Sequence, residues 1–189
     1  MIDEDLVRRL IASTGDDPNR DGLQETPRRF LDAWKFWTAG YHMDPAKVVK
    51  TFNHTPVDEL VFQGNIPIFS LCEHHLAPFF GVVHIAYIPT DKIIGLSKLS
   101  RLVEVFARRL QVQERLTNQI ADTLNQLLTP TGCGVVMQCR HLCMESRGIQ
   151  KHGTVTVVSA VRGALKYKPE ARAEFMSLVN TTIQNATVI

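Results

Sequence analysis

The 189-residue sequence has little net charge, few cysteines and no long apolar run, and each absence excludes a class of protein. A formal net charge of +2 gives no general attraction to nucleic acid, so any anion binding must come from local basic clusters. No apolar run approaches the length of a membrane span, and the acidic, amphipathic start MIDEDLVRRL does not resemble a signal peptide. We therefore expect a cytoplasmic protein that binds neither nucleic acid nor membrane.

Only four cysteines are present, and three of them fall within eleven residues. This number and clustering do not fit the disulfide framework of a small secreted domain. In a reducing compartment the pattern indicates metal ligands together with buried thiols. The four are Cys72, Cys133, Cys139 and Cys143.

The hydrophobic pattern predicts an α+β protein in two domains. Residues 1–55 form a helical arm, in which Thr26 is the predicted N-cap of an aromatic-rich helix, and residues 56–189 form the second domain. In the second domain two strands, two helices and two further strands follow one another, which favours a four-stranded antiparallel sheet with both helices on one face. The predicted strands are 60–71, 79–89, 134–144 and 154–163, and the predicted helices are 97–110 and 113–128.

The stretch LCEHHLAPFFG contains half of a possible zinc site. Cys72 and His75 have the Cys-x-x-His spacing of zinc ligands, and His74 lies between them. A half-site is a weak signal by itself, so further ligands must come from another part of the chain. The other histidines without a motif are interpreted as ordinary surface or core residues: His42, His54, His84 and His152.

The second half is expected in the strand 134–144. Strand alternation would place Cys139, His141 and Cys143 on one face, with His141 and Cys143 about 7 Å apart. That separation suits one metal ligand and one residue that acts on a metal-held substrate. Adding Cys143 to the first half gives three ligands and an open position, which is typical of catalytic zinc, whereas a structural site that also uses Cys139 is the main alternative. Cys133 and Cys139 are otherwise interpreted as buried thiols.

Basic residues occur at two predicted helix starts, where they oppose the helix dipole. Cations destabilise a helix N-terminus unless an anion lies in front of it, in which case they complete a phosphate site with the free backbone N–H groups. A solvated basic surface is the ordinary interpretation of any one of them, but together they favour a polyanionic ligand. The residues are Arg28 and Arg29 at the first helix, Ser97 as N-cap with Lys98 and Arg101 at the second, and Arg147 in a later loop.

Gln113 and Glu114 begin the predicted helix 113–128. A carboxylate at a helix start is favoured by the dipole alone, so Glu114 needs no ligand to explain it. It could instead accept two hydrogen bonds from an edge such as guanine N1–H and the 2-amino group. The residues by themselves leave both interpretations open.

Four stretches in combination resemble the zinc-dependent GTP cyclohydrolase I family, and the resemblance runs from about Leu6 to Phe175. They are CEHHLAPFFG, AYIPTDKIIGLSKLSRLVEVFARRLQVQERLTNQIADTL, HLCMESRGI and ETPRRF. The resemblance implies the tunnelling fold, and a homodecamer of two stacked five-membered rings with active sites between subunits. It also implies conversion of GTP to 7,8-dihydroneopterin triphosphate with release of formate, the first step of tetrahydrofolate or another pterin or deazaguanine synthesis.

The resemblance also implies roles for individual residues. It implies a zinc ion held by Cys72, His75 and Cys143, with His74 and His141 as catalytic acid/base groups. Its implied triphosphate contacts are Ser97, Lys98, Arg101, Arg147 and, from a neighbouring subunit, Arg29. Gln113 and Glu114 correspond to the guanine contacts. Two other classes stay open as alternatives: a non-catalytic relative that binds a purine or pterin, and a protein with a structural zinc only.

Overall fold

A computed structural model describes residues 2–53, 55 and 59–185 of the chain. The helices are α1 (Glu4–Ala12), α2 (Thr26–Trp37), α3 (Pro45–Val48), α4 (Leu96–Ala107), α5 (Gln113–Leu128), α6 (Leu142–Glu145), α7 (Ala164–Tyr167) and α8 (Pro169–Asn185). The strands are β1 (Thr51–Asn53), β2 (Val61–Cys72), β3 (Pro78–Ile88), β4 (Lys92–Ile94), β5 (Leu110–Gln111), β6 (Gly132–His141) and β7 (Val155–Gly163). Short 3-10 helices occupy Asp21–Leu23 and Ala39–His42. His54 lies outside the described residues.

The contacts divide the chain into two compact units, Met1–Ala39 and Gly40–Ile189. The boundary predicted between residues 55 and 56 adjoins residues outside the described ranges and stays a prediction. In the first unit α1 and α2 pack together, and Asp3 caps α1 by accepting a hydrogen bond from the Leu6 N–H at 3.0 Å. The N-cap of α2 is Glu25, so the prediction of Thr26 as the cap was wrong by one residue.

The second unit contains a five-stranded sheet in the order β5-β2-β3-β6-β7. The four long strands pair antiparallel, as predicted, but the predicted number of strands was wrong. The additional strand, β5, has two residues and pairs parallel with Leu71 and Cys72 at the end of β2. Two residues are too few to show a strand period, which is why the sequence pattern did not predict this strand. A separate two-stranded sheet joins β1 and β4.

The two long helices α4 and α5 cover one face of the sheet. Leu99 of α4 and Ile120 of α5 are fully buried, in one apolar cluster with the strand residues Ile85 and Val135. At about 1.5–3 kcal/mol for each buried aliphatic side chain, this cluster is the main source of stability in the unit. The predicted placement of both helices on one face is therefore observed.

The opposite face is covered in part by the C-terminal helix α8. Phe175 and Val179 of α8 pack against Ala86 of β3 and Val136 of β6, whose side chains alternate with those of the first cluster. The described helices include none that is both long and apolar enough to span a membrane.

Candidate active site

A tight turn at the end of β2 carries Cys72 and His75. The backbone N–H of Leu76 donates to the Cys72 carbonyl at 2.8 Å, and the Cys72 N–H donates to the Ala77 carbonyl at 2.8 Å. Leu76 adopts φ = 53°, in the left-handed region that residues with a Cβ rarely enter. The turn places the buried thiol of Cys72 near the exposed imidazole of His75, whose Nδ1 lies 3.8 Å from Sγ.

Cys143 lies on the one-turn helix α6, which follows β6 directly. The prediction that the strand continues through Cys143 was wrong, because β6 ends at His141. Strand alternation therefore does not set the separation of these two residues. The guanidinium of Arg140 forms a two-pronged ion pair with the buried carboxylate of Glu145, at 2.9 and 2.6 Å, and so joins the last residues of the strand to the helical turn.

Cys72, His75 and Cys143 form a group that could hold a metal ion. Their ligand atoms all lie within 4.8 Å of one another. Tetrahedral zinc with ordinary bond lengths separates a sulfur and a nitrogen ligand by about 3.6 Å, close to the observed 3.8 Å between Cys72 Sγ and His75 Nδ1. Two thiols and one imidazole are a donor set that zinc prefers, and three protein ligands leave a fourth position for water or substrate.

Cys139 is not part of this group. Its side chain is 1% exposed in the core beneath α4 and α5, and burial raises the pKa of its thiol to about 12. Cys133 is equally buried, with a pKa of about 12 for the same reason. Both therefore fit the predicted buried thiols, and the alternative of a four-ligand site through Cys139 has no support among the described residues. Burial and the neighbouring Cys72 thiol also raise the pKa of Cys143.

His141 is held on two sides at the end of β6. Its Nε2 lies 2.8 Å from Oε1 of Gln113, the first residue of α5. Its ring stacks on Phe79, which is its pairing partner on the neighbouring strand β3. The ring centroids are 4.8 Å apart and the ring planes are 9° from parallel. Burial lowers the pKa of the imidazole, and the nearby carboxylate of Glu114 opposes that shift.

His74 is exposed on the turn after β2. Its Nδ1 lies 3.9 Å from Cys72 Sγ, and its Nε2 lies 3.8 Å from a carboxylate oxygen of Glu73. Glu73 is in turn paired with Arg115 of α5, which lowers the pKa of the Glu73 carboxyl group. The Glu73–Arg115 ion pair therefore connects the turn to the start of α5. His74 lies next to Cys72 but is not one of the three residues that could hold the metal ion.

The predicted phosphate residues on α4 lie at its start, but the N-cap is Gly95 and not Ser97 as predicted. Ser97 and Arg101 are exposed and Lys98 is half-buried. Within the described ranges Lys98 and Arg101 form no ion pair with a carboxylate. Arg147 is exposed just after α6, where its charge acts to lower the pKa of Cys143.

Arg29 lies in the first unit, and its cationic group already has an anion. Both Arg28 and Arg29 pair with the carboxylate of Glu25, at 3.2 and 2.9 Å. The inference from unpaired cations at a helix start therefore does not hold at α2. The expected triphosphate contact of Arg29 therefore rests on the family resemblance alone.

Sequence reasoning did not identify three contacts that hold the site: the Phe79 stack, the Arg115–Glu73 pair and the Arg140–Glu145 pair. The first has no turn from which to extend a register, because α4 and α5 lie between the paired strands β3 and β6 in the sequence. The two ion pairs have no sequence signal, because 42 residues separate Arg115 from Glu73 and a spacing of five between Arg140 and Glu145 fits neither helix nor strand period.

The family model and the relatives that this chain matches all belong to one protein family. Residues 3–180 match the model of a family described as GTP cyclohydrolase I. The chain is 54% identical over 176 residues to "GTP cyclohydrolase 1" of Nitrosospira multiformis, covering 92% of each protein. It is 53% identical to the protein of the same name from Janthinobacterium sp., covering 90% of this chain and 87% of that protein. It is 47% identical to that of Deinococcus radiodurans, covering 96% of this chain and 84% of the relative.

Proposed function

Because the chain belongs to the GTP cyclohydrolase I family, we propose that it converts GTP to 7,8-dihydroneopterin triphosphate and releases formate. The observation that carries this proposal is the group of Cys72, His75 and Cys143, whose donor atoms are close enough to share one metal ion. The product is a precursor for tetrahydrofolate or for another pterin or deazaguanine compound.

Zinc is the proposed metal, held by Cys72, His75 and Cys143. When bound, zinc supplies a Lewis acid that activates water for attack on C8 of the guanine ring. The chemistry of the donor set supports zinc, since two thiols and an imidazole suit this ion better than magnesium or calcium. The buried position of Cys72 and the half-buried position of Cys143 limit the access of bulk water to the two thiols, whereas His75 is exposed.

His141 and His74 are the proposed acid/base groups. Imidazole exchanges protons near neutral pH, which suits a reaction that opens two rings and closes a third. His141, stacked on Phe79, protonates a purine nitrogen or the ribose ring oxygen as the rings open. His74, beside the ligands on an exposed turn, carries protons between the substrate and solvent. Their different exposure supports this division of roles.

Guanine is recognised at the start of α5 and the triphosphate at the start of α4. The exposed carboxylate of Glu114 accepts hydrogen bonds from guanine N1–H and the 2-amino group. The triphosphate binds to Ser97, Lys98 and Arg101 at the α4 N-terminus, where backbone N–H groups add to the positive potential. Arg147 completes this set from the loop after α6, with Arg29 of a neighbouring subunit.

The proposed assembly is a homodecamer with the tunnelling fold, located in the cytoplasm, whose active sites lie between subunits. Four long antiparallel strands with two helices on one face support this fold. Exposed apolar side chains on the edge strand β7, Val155 and Val157, support association through the sheet.

The proposal is tested by formate release from GTP, together with pterin fluorescence after oxidation, in the wild type and in His141→Ala. We expect the wild type to give both products. The variant should retain zinc and give neither at an appreciable rate. His42→Ala, which changes an exposed histidine outside the proposed site, is the matched control. A wild type that binds zinc and GTP but releases no formate would leave a binding protein, and the cyclohydrolase proposal would be wrong.

A further inference from the structure

The side-chain amide of Gln113 is buried and forms hydrogen bonds through both its nitrogen and its oxygen. Gln113 is 2% exposed, and its Nε2 donates to the backbone carbonyls of Met137 on β6 and Thr156 on β7, at 2.9 and 3.0 Å. Only the –NH2 end of an amide can satisfy two carbonyl oxygens, so the network fixes which end of the amide is which. The oxygen of the amide must therefore face His141.

This orientation determines the hydrogen position on His141. An amide oxygen only accepts hydrogen bonds, so the His141 Nε2 atom at 2.8 Å must carry a hydrogen. In the neutral imidazole the other nitrogen, Nδ1, then has the lone pair. Within the described part of the chain, no protein donor binds that lone pair.

The two neighbours of the ring restrain different motions. Phe79, which is fully buried, stacks on the imidazole and fixes the plane of the ring. A flip of about 180° around the Cβ–Cγ bond would return the ring to the same plane with Cε1 in place of Nε2, and the hydrogen bond from Nε2 to Gln113 opposes that flip. Because the amide oxygen can accept from both neutral and protonated imidazole, the contact persists in both states.

We propose that Gln113 is a positioning residue that holds His141 as the Nε2–H tautomer and leaves Nδ1 as the nitrogen that faces the substrate, where it first accepts a proton and then, as the imidazolium, donates that proton to the purine nitrogen or the ribose oxygen. The substrate part of this inference rests on the proposed function, whereas the tautomer part does not. It differs from the guanine contact that the family resemblance implies for Gln113, since both amide hydrogens are already donated to backbone carbonyls and the side chain is only 2% exposed, which leaves guanine little access to it. Glu114, which is exposed, remains free to contact the base.

The direct test is ¹⁵N NMR of the zinc-loaded protein with ring-labelled histidine. The His141 signals are assigned by their loss in His141→Asn. At a pH high enough for the ring to be neutral, we expect the wild type to show a single tautomer, with hydrogen on Nε2. A wild type with hydrogen on Nδ1, or with a mixture of both forms, would overturn the proposal without the need for any Gln113 variant.

Two substitutions of Gln113 test the cause. Gln113→Met keeps the length of the side chain but removes the acceptor, and should give a mixture of tautomers. Gln113→Glu removes the donor to the Met137 and Thr156 carbonyls, as Gln113→Met also does, but keeps an acceptor for Nε2–H, so the hydrogen should stay on Nε2. An unchanged tautomer in Gln113→Met would show that Phe79 and the strand alone hold the ring, and the proposal would be wrong.

Gln111→Met is the matched control for loss of a buried glutamine. Gln111 is 1% exposed and makes three side-chain hydrogen bonds, to the Phe106 carbonyl, to Gln119 and from Arg115. None of them involves a histidine, so the His141 tautomer should be unchanged in this variant. If both methionine variants alter the tautomer, general loosening of the core explains the effect and the specific role of Gln113 is excluded.

Kinetics separates positioning from guanine binding. If Gln113 positions His141, Gln113→Met lowers kcat by about 100-fold, the lower end of what general acid–base catalysis supplies, with KM for GTP nearly unchanged. If Gln113 instead binds guanine, KM rises and the tautomer stays the same. A wild type with the expected tautomer but without formate release would refute the proposed function and leave the positioning of His141 intact.

Discussion

The metal-binding group and the basic start of α4 differ in how their side chains are held. Cys72 and Cys143 are at least half-buried, on a turn and a one-turn helix that the Arg115–Glu73 and Arg140–Glu145 pairs fix in place. Lys98 and Arg101 project from a helix without an ion-pairing partner in the described ranges. Contacts within the chain therefore order the first region, whereas the second would be ordered by the anion proposed to bind there.

This difference follows from the interactions that each region must make. A metal site requires donor atoms at fixed distances, so the chain must pay the ordering entropy in advance. A phosphate site can use long cationic side chains that become ordered when the anion binds. Cations at a helix start destabilise the free protein by about 0.3–1 kcal/mol each, which only an anionic ligand offsets. At α2 Glu25 already supplies that anion.

The largest effect should come from removing a proposed metal ligand. We expect Cys143→Ser to lose stoichiometric zinc and to lower turnover by about 1,000-fold or more, since hydroxyl is a poor zinc ligand. Cys139→Ser should show the opposite pattern, because it buries a hydroxyl in the core at a loss of about 1–3 kcal/mol in stability but leaves the ligands intact. Elemental analysis and thermal unfolding distinguish the two. Loss of zinc in Cys139→Ser would instead support the alternative in which Cys139 is a fourth zinc ligand.

The next largest effect should come from the basic start of α4. Lys98→Ala and Arg101→Ala should each raise KM for GTP by about 10- to 100-fold, since a charge-assisted hydrogen bond contributes about 1.5–3 kcal/mol. The same variants should be as stable as the wild type or slightly more so, because an unfavourable charge leaves the helix start.

Arg28→Ala is the control for these variants, because Arg28 occupies a helix start and is already paired with Glu25. Its KM for GTP should not change. If Lys98→Ala and Arg101→Ala fold normally and also leave KM for GTP unchanged, the cations of α4 do not bind the triphosphate. The difference in ion pairing between α4 and α2 would then have no bearing on substrate binding.

A smaller effect is expected where the metal-binding group is supported from outside. Glu145→Gln keeps the size of the side chain but removes the charge that pairs with Arg140. We expect zinc affinity to fall by about 10-fold or less, because a loss of about 10- to 100-fold is typical for groups bonded directly to a metal ligand and this pair acts only through the segment that carries Cys143. Competition with a chromogenic chelator measures this fall. An affinity equal to that of the wild type would show that α6 holds Cys143 without the ion pair.

The sequence was sufficient to predict those parts of the molecule that have a local period or a motif. Helical spacing predicted α4 and α5, and the Cys-x-x-His spacing together with Cys143 predicted the metal-binding group. The bend at Leu142, the two-residue strand β5 and the hydrogen bond between Gln113 and His141 were missed. Strand β5 and the Gln113–His141 bond depend on contacts between residues distant in the sequence, which no window of ten to twenty residues contains. The change to a helical turn at Leu142 is held by the local Arg140–Glu145 pair, whose spacing of five residues fits neither the helix nor the strand period. For Arg28 and Arg29 the error was the opposite one. The sequence analysis expected a bound polyanion to neutralise these cations, but the neighbouring carboxylate of Glu25 pairs with both.

The smallest effect concerns His84, a buried histidine outside both regions. Its Nδ1 accepts the Asn65 N–H at 3.4 Å, its ring stacks on Phe62, and its Nε2 is buried without a partner among the described residues. Burial lowers the pKa of His84. Because the folded pKa lies below the unfolded value of about 6.5, stability is complete above about pH 6.5 and is lost as pH falls towards the folded pKa.

His84→Phe removes this titration and keeps an aromatic ring against Phe62. The variant should therefore lose less stability than the wild type between about pH 7 and pH 5, by a fraction of the roughly 1.4 kcal/mol that one full pKa unit represents. Denaturant unfolding at both pH values measures the difference, with His152→Ala as the control for an exposed histidine. Acid-induced loss of zinc affects all three proteins alike, so it cancels in the comparison. Equal losses in His84→Phe and the wild type would mean that the pKa of His84 is the same in the folded and unfolded chains, and the argument from burial would be wrong.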